Sequence, residues 1–182
     1  MTLSQEQEKA LRNYVMQHDG GNITINPTQL KEILRINIQD NQLFGFELLK
    51  IENLNKEEFA LIVGMDCICN GNHPIDFHKF TFLKSIYFSE WHHEHKNIID
   101  TFSRVISCDY IDFLFEAIKF IPQYQIGFEE CSIVRRAFFG LGRNISCPKA
   151  LQYLKLFQHD SDPIFQMFAN EQLELLNKDG LI

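Results

Sequence analysis

Apolar residues recur every third or fourth position through most of this chain, and that spacing constrains the fold more than any other feature. Residues three and four apart share one face of an α-helix, whereas a half-buried strand needs strict alternation. From Tyr110 to Ile121, the apolar positions Ile111, Leu114, Phe115, Ile118 and Ile121 share a face opposite Asp112, Glu116 and Lys119. From Cys131 to Leu141 the stripe is Ile133, Val134, Ala137, Phe138 and Leu141, followed by Gly142 and Asn144, which suit a left-handed C-cap. Ser146 and Pro148 introduce a helix to Phe157 along Ala150, Leu151 and Leu154. The pair Asp162-Pro163 opens a last helix that turns Ile164, Phe165, Phe168, Ala169, Leu173 and Leu176 inward. The chain therefore reads as all-α.

The N-terminal half gives a helix over Ser4 to His18 that Gly20-Gly21 stops, and a second over Thr28 to Ile36 after Asn26-Pro27. Asn41 to Glu52 and Lys56 to Cys69 read as a third and fourth, although Phe59 to Val63 also fits a buried strand. Phe77 to Ser89 and His93 to Ile106 are further helices, separated near Glu90-Trp91.

With 182 residues, 45% of them hydrophobic and 17 of them Phe, the chain has the material for one domain over 1–182, which excludes a disordered class. Within it, 1–90 is an N-terminal helical portion and 91–182 a repeat portion. The longest apolar stretch, Phe59 to Met65, is far below the roughly 18–20 residues of a membrane span. Net charge is −7, and the longest basic cluster is Arg135-Arg136. That balance argues against direct nucleic-acid binding and for a basic protein partner. The N-terminal residues lack the basic start and apolar core of a secretory signal, and five Cys is an odd number with no framework spacing. The expectation is a cytoplasmic protein with free, mostly buried thiols.

Helix compared with helix, the C-terminal half shows a period. Glu130 matches Asp162, Val134 Phe165, Ala137 Ala169 and Leu141 Leu173, at shifts of 31 or 32 residues. Such a period marks helix pairs that stack to share a core. The stretch Val134-Arg135-Arg136-Ala137-Phe138-Phe139-Gly140-Leu141-Gly142 resembles the second helix of a HEAT-like repeat, and Ala150 to Leu154 with Asp160 to Ile164 the next repeat's first helix and turn. The architecture expected is stacked antiparallel helix pairs, a HEAT-like α-solenoid, with an irregular all-α bundle as the alternative.

Several clusters bear chemistry on paper. His92 and His95 at i, i+3 could present two nitrogens to a metal, with His93 and Glu94 between them, but the His-Glu-x-x-His spacing is absent. Cys67, Cys69, His73 and His78 fall within twelve residues, yet one residue between thiols is tighter than structural zinc sites use. Gly140-Leu141-Gly142 lacks the third glycine of a dinucleotide loop and reads as a helix end. No Cys–His pair sits in a recognisable nucleophile turn. No metal, cofactor or catalytic residue is assigned. Carboxylates are more suggestive: Asp109, Asp112 and Glu116 project from one predicted polar face and Glu129-Glu130 opens the next helix, a solvated face or a surface for a basic partner.

Trp91-His92-His93-Glu94-His95-Lys96-Asn97-Ile98-Ile99, Tyr110 to Tyr124, Arg135 to Gly142 and Pro148-Lys149-Ala150 together resemble HEAT-repeat-like immunity proteins of bacterial polymorphic and contact-dependent growth inhibition toxin systems. The resemblance covers about residues 90–178 and departs at Phe128-Glu129-Glu130-Cys131 and at Phe139. It implies a small cytoplasmic inhibitor, not an enzyme, that binds a cognate toxin C-terminal domain one to one, often a basic nuclease, and blocks its active site or substrate access. Trp91, Tyr110, Tyr124 and Phe128 are then the aromatic anchors, and Glu94, Asp109, Asp112, Glu116, Glu129 and Glu130 the acidic contacts. A helical scaffold or adaptor and a metal-dependent or lyase-type enzyme are the rival classes.

Overall fold

The computed structural model describes residues 3–18, 25–69, 81–126 and 130–182, and among these every regular element is helical. The chain forms two compact units, Met1–Phe80 and Thr81–Ile182.

In the first unit, α1 (Gln5–His18) packs on α2 (Pro27–Leu34) and on α4 (Glu58–Cys69), and α4 packs along α3 (Asn41–Asn55). Asn26 starts α2 with a reciprocal capping box: its side chain accepts from Gln29 N–H while Gln29 Oε1 accepts from Asn26 N–H, both at 2.9 Å. Arg35 ends it in the left-handed region, φ 58°. Leu11, Leu30, Leu34, Phe44, Leu48, Ala60 and Val63 close the core. The stretch Phe59 to Val63 lies inside α4, so its helix reading holds and the strand reading does not. A Cβ on Gly45 would stand 2.7 Å from the Gly64 carbonyl oxygen, so α3 and α4 cross where neither carries a side chain. The expected stop at Gly20-Gly21 lies outside the described residues.

In the second unit, α5 (Leu83–Tyr87) packs on α6 (His95–Ser103), followed by α7 (Ile111–Lys119), α8 (Glu130–Arg143), α9 (Pro148–Phe157) and α10 (Pro163–Lys178). Helix α8 touches α6, α7, α9 and α10. Its predicted stripe Ile133, Val134, Ala137, Phe138 and Leu141 is buried throughout, which is why it sits at the centre. One reading is corrected: Gly142 is helical and neither it nor Asn144 is left-handed, so no left-handed cap closes α8, although Gly140-Leu141-Gly142 does form its end as the last turn. Gly140 serves close approach instead: a Cβ there would lie 2.9 Å from Leu114 Cδ1 and 3.0 Å from Ser103 Cα.

Asn144 does the terminating work expected of a left-handed cap. Fully buried, its amide donates to the carbonyls of Val105 and Gly140, both at 2.8 Å, and its Oδ1 accepts from Ser107 N–H at 2.7 Å. The link after α6 is thus fastened to the end of α8. Beside it Cys108 and Cys147 form a disulfide, Cα atoms 5.6 Å apart. The expectation of free thiols is therefore overturned at these two residues, which are far apart in sequence but adjacent once α6–α7 and α8–α9 links meet. Cys67 is free and half-buried. No described helix is long and apolar enough to cross a membrane.

Candidate interaction surfaces of the second unit

The turn from α5 into α6 is built on two imidazoles. His92 and His95 are buried and stacked, centroids 4.2 Å apart. His92 Nδ1 accepts from Glu94 N–H at 3.1 Å, so Nε2 carries the proton and donates to the Ile86 carbonyl at 2.9 Å. His95 Nε2 donates to the Ser89 carbonyl at 3.0 Å, and its Nδ1 stands 3.1 Å from the Tyr124 hydroxyl, itself 2.9 Å from the His93 carbonyl. Burial, with the neighbouring His92 adding to it, holds the His95 pKa down to about 3, so the ring is neutral. Both rings are engaged by the fold. Among the described residues no group of three or more His, Cys, Asp or Glu is arranged to hold a metal ion. Of the second paper cluster, the Cys69 side chain, His73 and His78 lie outside the described residues; Cys67 sits among Tyr14, Lys31 and Asp66, and burial pushes its thiol up to about 11.

Trp91, Glu94 and Tyr124, three predicted contact residues, gather at this corner. Trp91 meets His92 edge-on at 4.9 Å, Glu94 accepts from the Asn97 amide at 2.7 Å, and all three are half-buried. Tyr110 is placed differently. It is 2% exposed, packed on Phe102 at 5.0 Å under the Lys84 ammonium, so it is a core ring and not an anchor for a partner. Its apolar body completes the core at the start of α7. Asp109 is exposed. Phe128 and Glu129 lie outside the described residues, as does the side chain of Glu130.

Asp112 and Glu116 stand on the outer face of α7 as expected, but they are not a bare acidic surface. Lys149 of α9 reaches both Asp112 oxygens, at 3.0 and 2.8 Å, and the Tyr153 hydroxyl donates to Oδ1 at 2.7 Å. The Lys149 hydrogen bond, then that of Tyr153, holds the Asp112 carboxyl below its usual range. Phe115 stacks on Tyr153 at 3.9 Å, with the Lys119 ammonium 3.6 Å above it and Glu116 paired to Lys119 at 3.2 Å. This face is a mixed, ordered surface of two rings and four charges.

A third surface escaped sequence reasoning. An open groove of about 970 Å³ runs over α6, α8 and α10. Arg104, Arg135, Arg136 and Arg143 line it against two acids, Asp100 and Glu171. Asp100 pairs with Arg136 and, at 2.6 Å, with Arg104; Glu171 pairs with Arg135 at 2.7 Å. Arg143 lies 5.7 Å over the ring of Phe139, which is 44% exposed, and Leu175 opposite is 48% exposed. Part of the signal was legible: Ser132, Arg136, Phe139 and Arg143 recur at helical spacing opposite the buried stripe of α8. The residues that make a stripe into a groove come from two other helices. Comparison with protein-family models, with curated proteins and with solved structures finds no match to this chain.

Proposed function

We propose that this chain is a protein-binding module of the toxin-neutralising kind: an immunity protein that acts in the cytoplasm, holds one cognate toxin domain, and blocks its active site or substrate access. On this reading α6 to α10 are stacked helix pairs of a HEAT-like solenoid. The observation that carries it is the α7–α9 face, where Phe115 and Tyr153 stack and Asp112 and Glu116 are held beside them by short polar contacts. Rings ordered before binding lose little rotamer freedom on contact, and aromatic centres rimmed by charge are where binding energy concentrates. A basic side chain of the toxin joins or replaces exposed Lys149 at Asp112, without uncovering a buried charge.

Coexpression with the product of the adjacent open reading frame tests this. Growth rescue and a one-to-one complex are expected, and Asp112→Lys with Glu116→Lys should slow association and weaken the complex about tenfold or more at low salt. Unchanged affinity would remove this face from the interface, and absence of both rescue and complex would end the toxin reading.

A further inference from the structure

The α6–α8–α10 groove differs from the rest of the molecule in charge. On a chain of net charge −7 it collects four arginines against two carboxylates. The guanidiniums are positioned before any ligand arrives: Asp100 and Glu171 hold three of them, and Arg143 rests on Phe139 with no acid paired to it among the described residues. Between them the floor is apolar, with Phe139 on one side and Leu175 on the other. Arginine and aromatic side chains around an apolar floor are the composition of protein interfaces at their energetic centre.

We propose that this groove docks an acidic amphipathic helix of a partner protein, its carboxylates on Arg135, Arg136 and Arg143 and its apolar face on Phe139 and Leu175. Along α8 the arginines from Arg136 to Arg143 span roughly 10 Å at the helical rise, about two turns of a bound helix. The ligand therefore carries acids about seven residues apart, flanking apolar residues at i, i+3 or i+4. A nucleic acid fits less well. Its phosphate backbone offers nothing to Leu175, whereas an amphipathic helix brings carboxylates and an apolar face together. The inference is independent of the toxin reading, which rests on the α7–α9 face.

A displayed library of random 16-residue peptides, selected on the full chain, provides the test. Enriched peptides should combine Asp or Glu with Leu, Ile or Phe at helical spacing. By fluorescence polarisation their affinity should fall about tenfold or more on Arg143→Glu and about fivefold or more on Phe139→Ser, and should weaken as salt rises. Both positions are exposed, so circular dichroism should show both variants folded as the parent. Enrichment of neutral or basic peptides, no enrichment over empty support, or equal binding by folded variants overturns the proposal. So does saturable binding of a thymidine 20-mer that outcompetes the selected peptides.

Discussion

His95 shows how one side chain's surroundings set a solution property. Its ring is neutral in the folded protein, with the pKa lowered to about 3 from 6.5 by burial and by His92. The unfolded chain takes up a proton below about pH 6.5 that the folded one refuses, so stability rises with pH between those values. It is complete above about 6.5, falls by about 1.4 kcal/mol per pH unit below that, and stops falling near pH 3. His95→Gln, which keeps a donor for the Ser89 carbonyl, should flatten this dependence: urea unfolding at pH 7 and pH 5 should show the parent losing about 2 kcal/mol more than the variant. Equal losses would mean that His95 titrates normally in the fold. Sequence placed these histidines together and left open whether they hold a metal ion or only hydrogen-bond and face water. Only the carbonyls of Ile86 and Ser89, brought over the rings by the turn between α5 and α6, decide for the core.

Among elements, α8 sets the second unit because four helices share it. Gly140→Ala would gain up to about 1 kcal/mol of helix propensity. It would also drive a Cβ into Leu114 and the Ser103 backbone, an overpacking cost of about 1–3 kcal/mol. Thermal unfolding should report a lower Tm for G140A; a higher one would show that α6 can withdraw. At the same end, Asn144→Ala abandons two buried backbone carbonyls and the part-buried Ser107 N–H, and should cost about 2–3 kcal/mol by denaturant titration. Removal of the neighbouring disulfide, which spans a sequence separation of 39, should cost about 4 kcal/mol by chain entropy. Helix bounds here were legible in sequence to within a few residues, since Asp162 caps α10 by accepting from Ile164 N–H at 2.8 Å as its position before Pro163 implied. What Gly140, Gly142 and Asn144 do was not legible, because both a cap and a close contact use the same residue types.

At the scale of the whole molecule, the disulfide and the proposed cytoplasmic location bear on each other, because reducing compartments keep thiols reduced. Alkylation of thiols in intact cells before lysis, followed by mass spectrometry, should find Cys108 and Cys147 modified if the protein acts in the cytoplasm. Protection of both, lifted by prior reduction, would place the protein where oxidation persists. Cys67, protonated at neutral pH, should react slowly in either case.

The amino-acid sequence by itself determined that the elements of the described residues are helical, where most helices lie and that the stripe of α8 is buried, because those properties depend on neighbours within a turn or two. The stripe of α7 failed at Ile121, which lies beyond Lys119 and is 37% exposed. It also determined the overall charge. Tertiary structure decided where that charge acts: Asp112 acquired Lys149 and Tyr153, Tyr110 went into the core, and Arg104 met Arg136 across Asp100. Ion pairs, disulfides and grooves join residues tens of positions apart, and their formation depends on how helices pack, which no local pattern records.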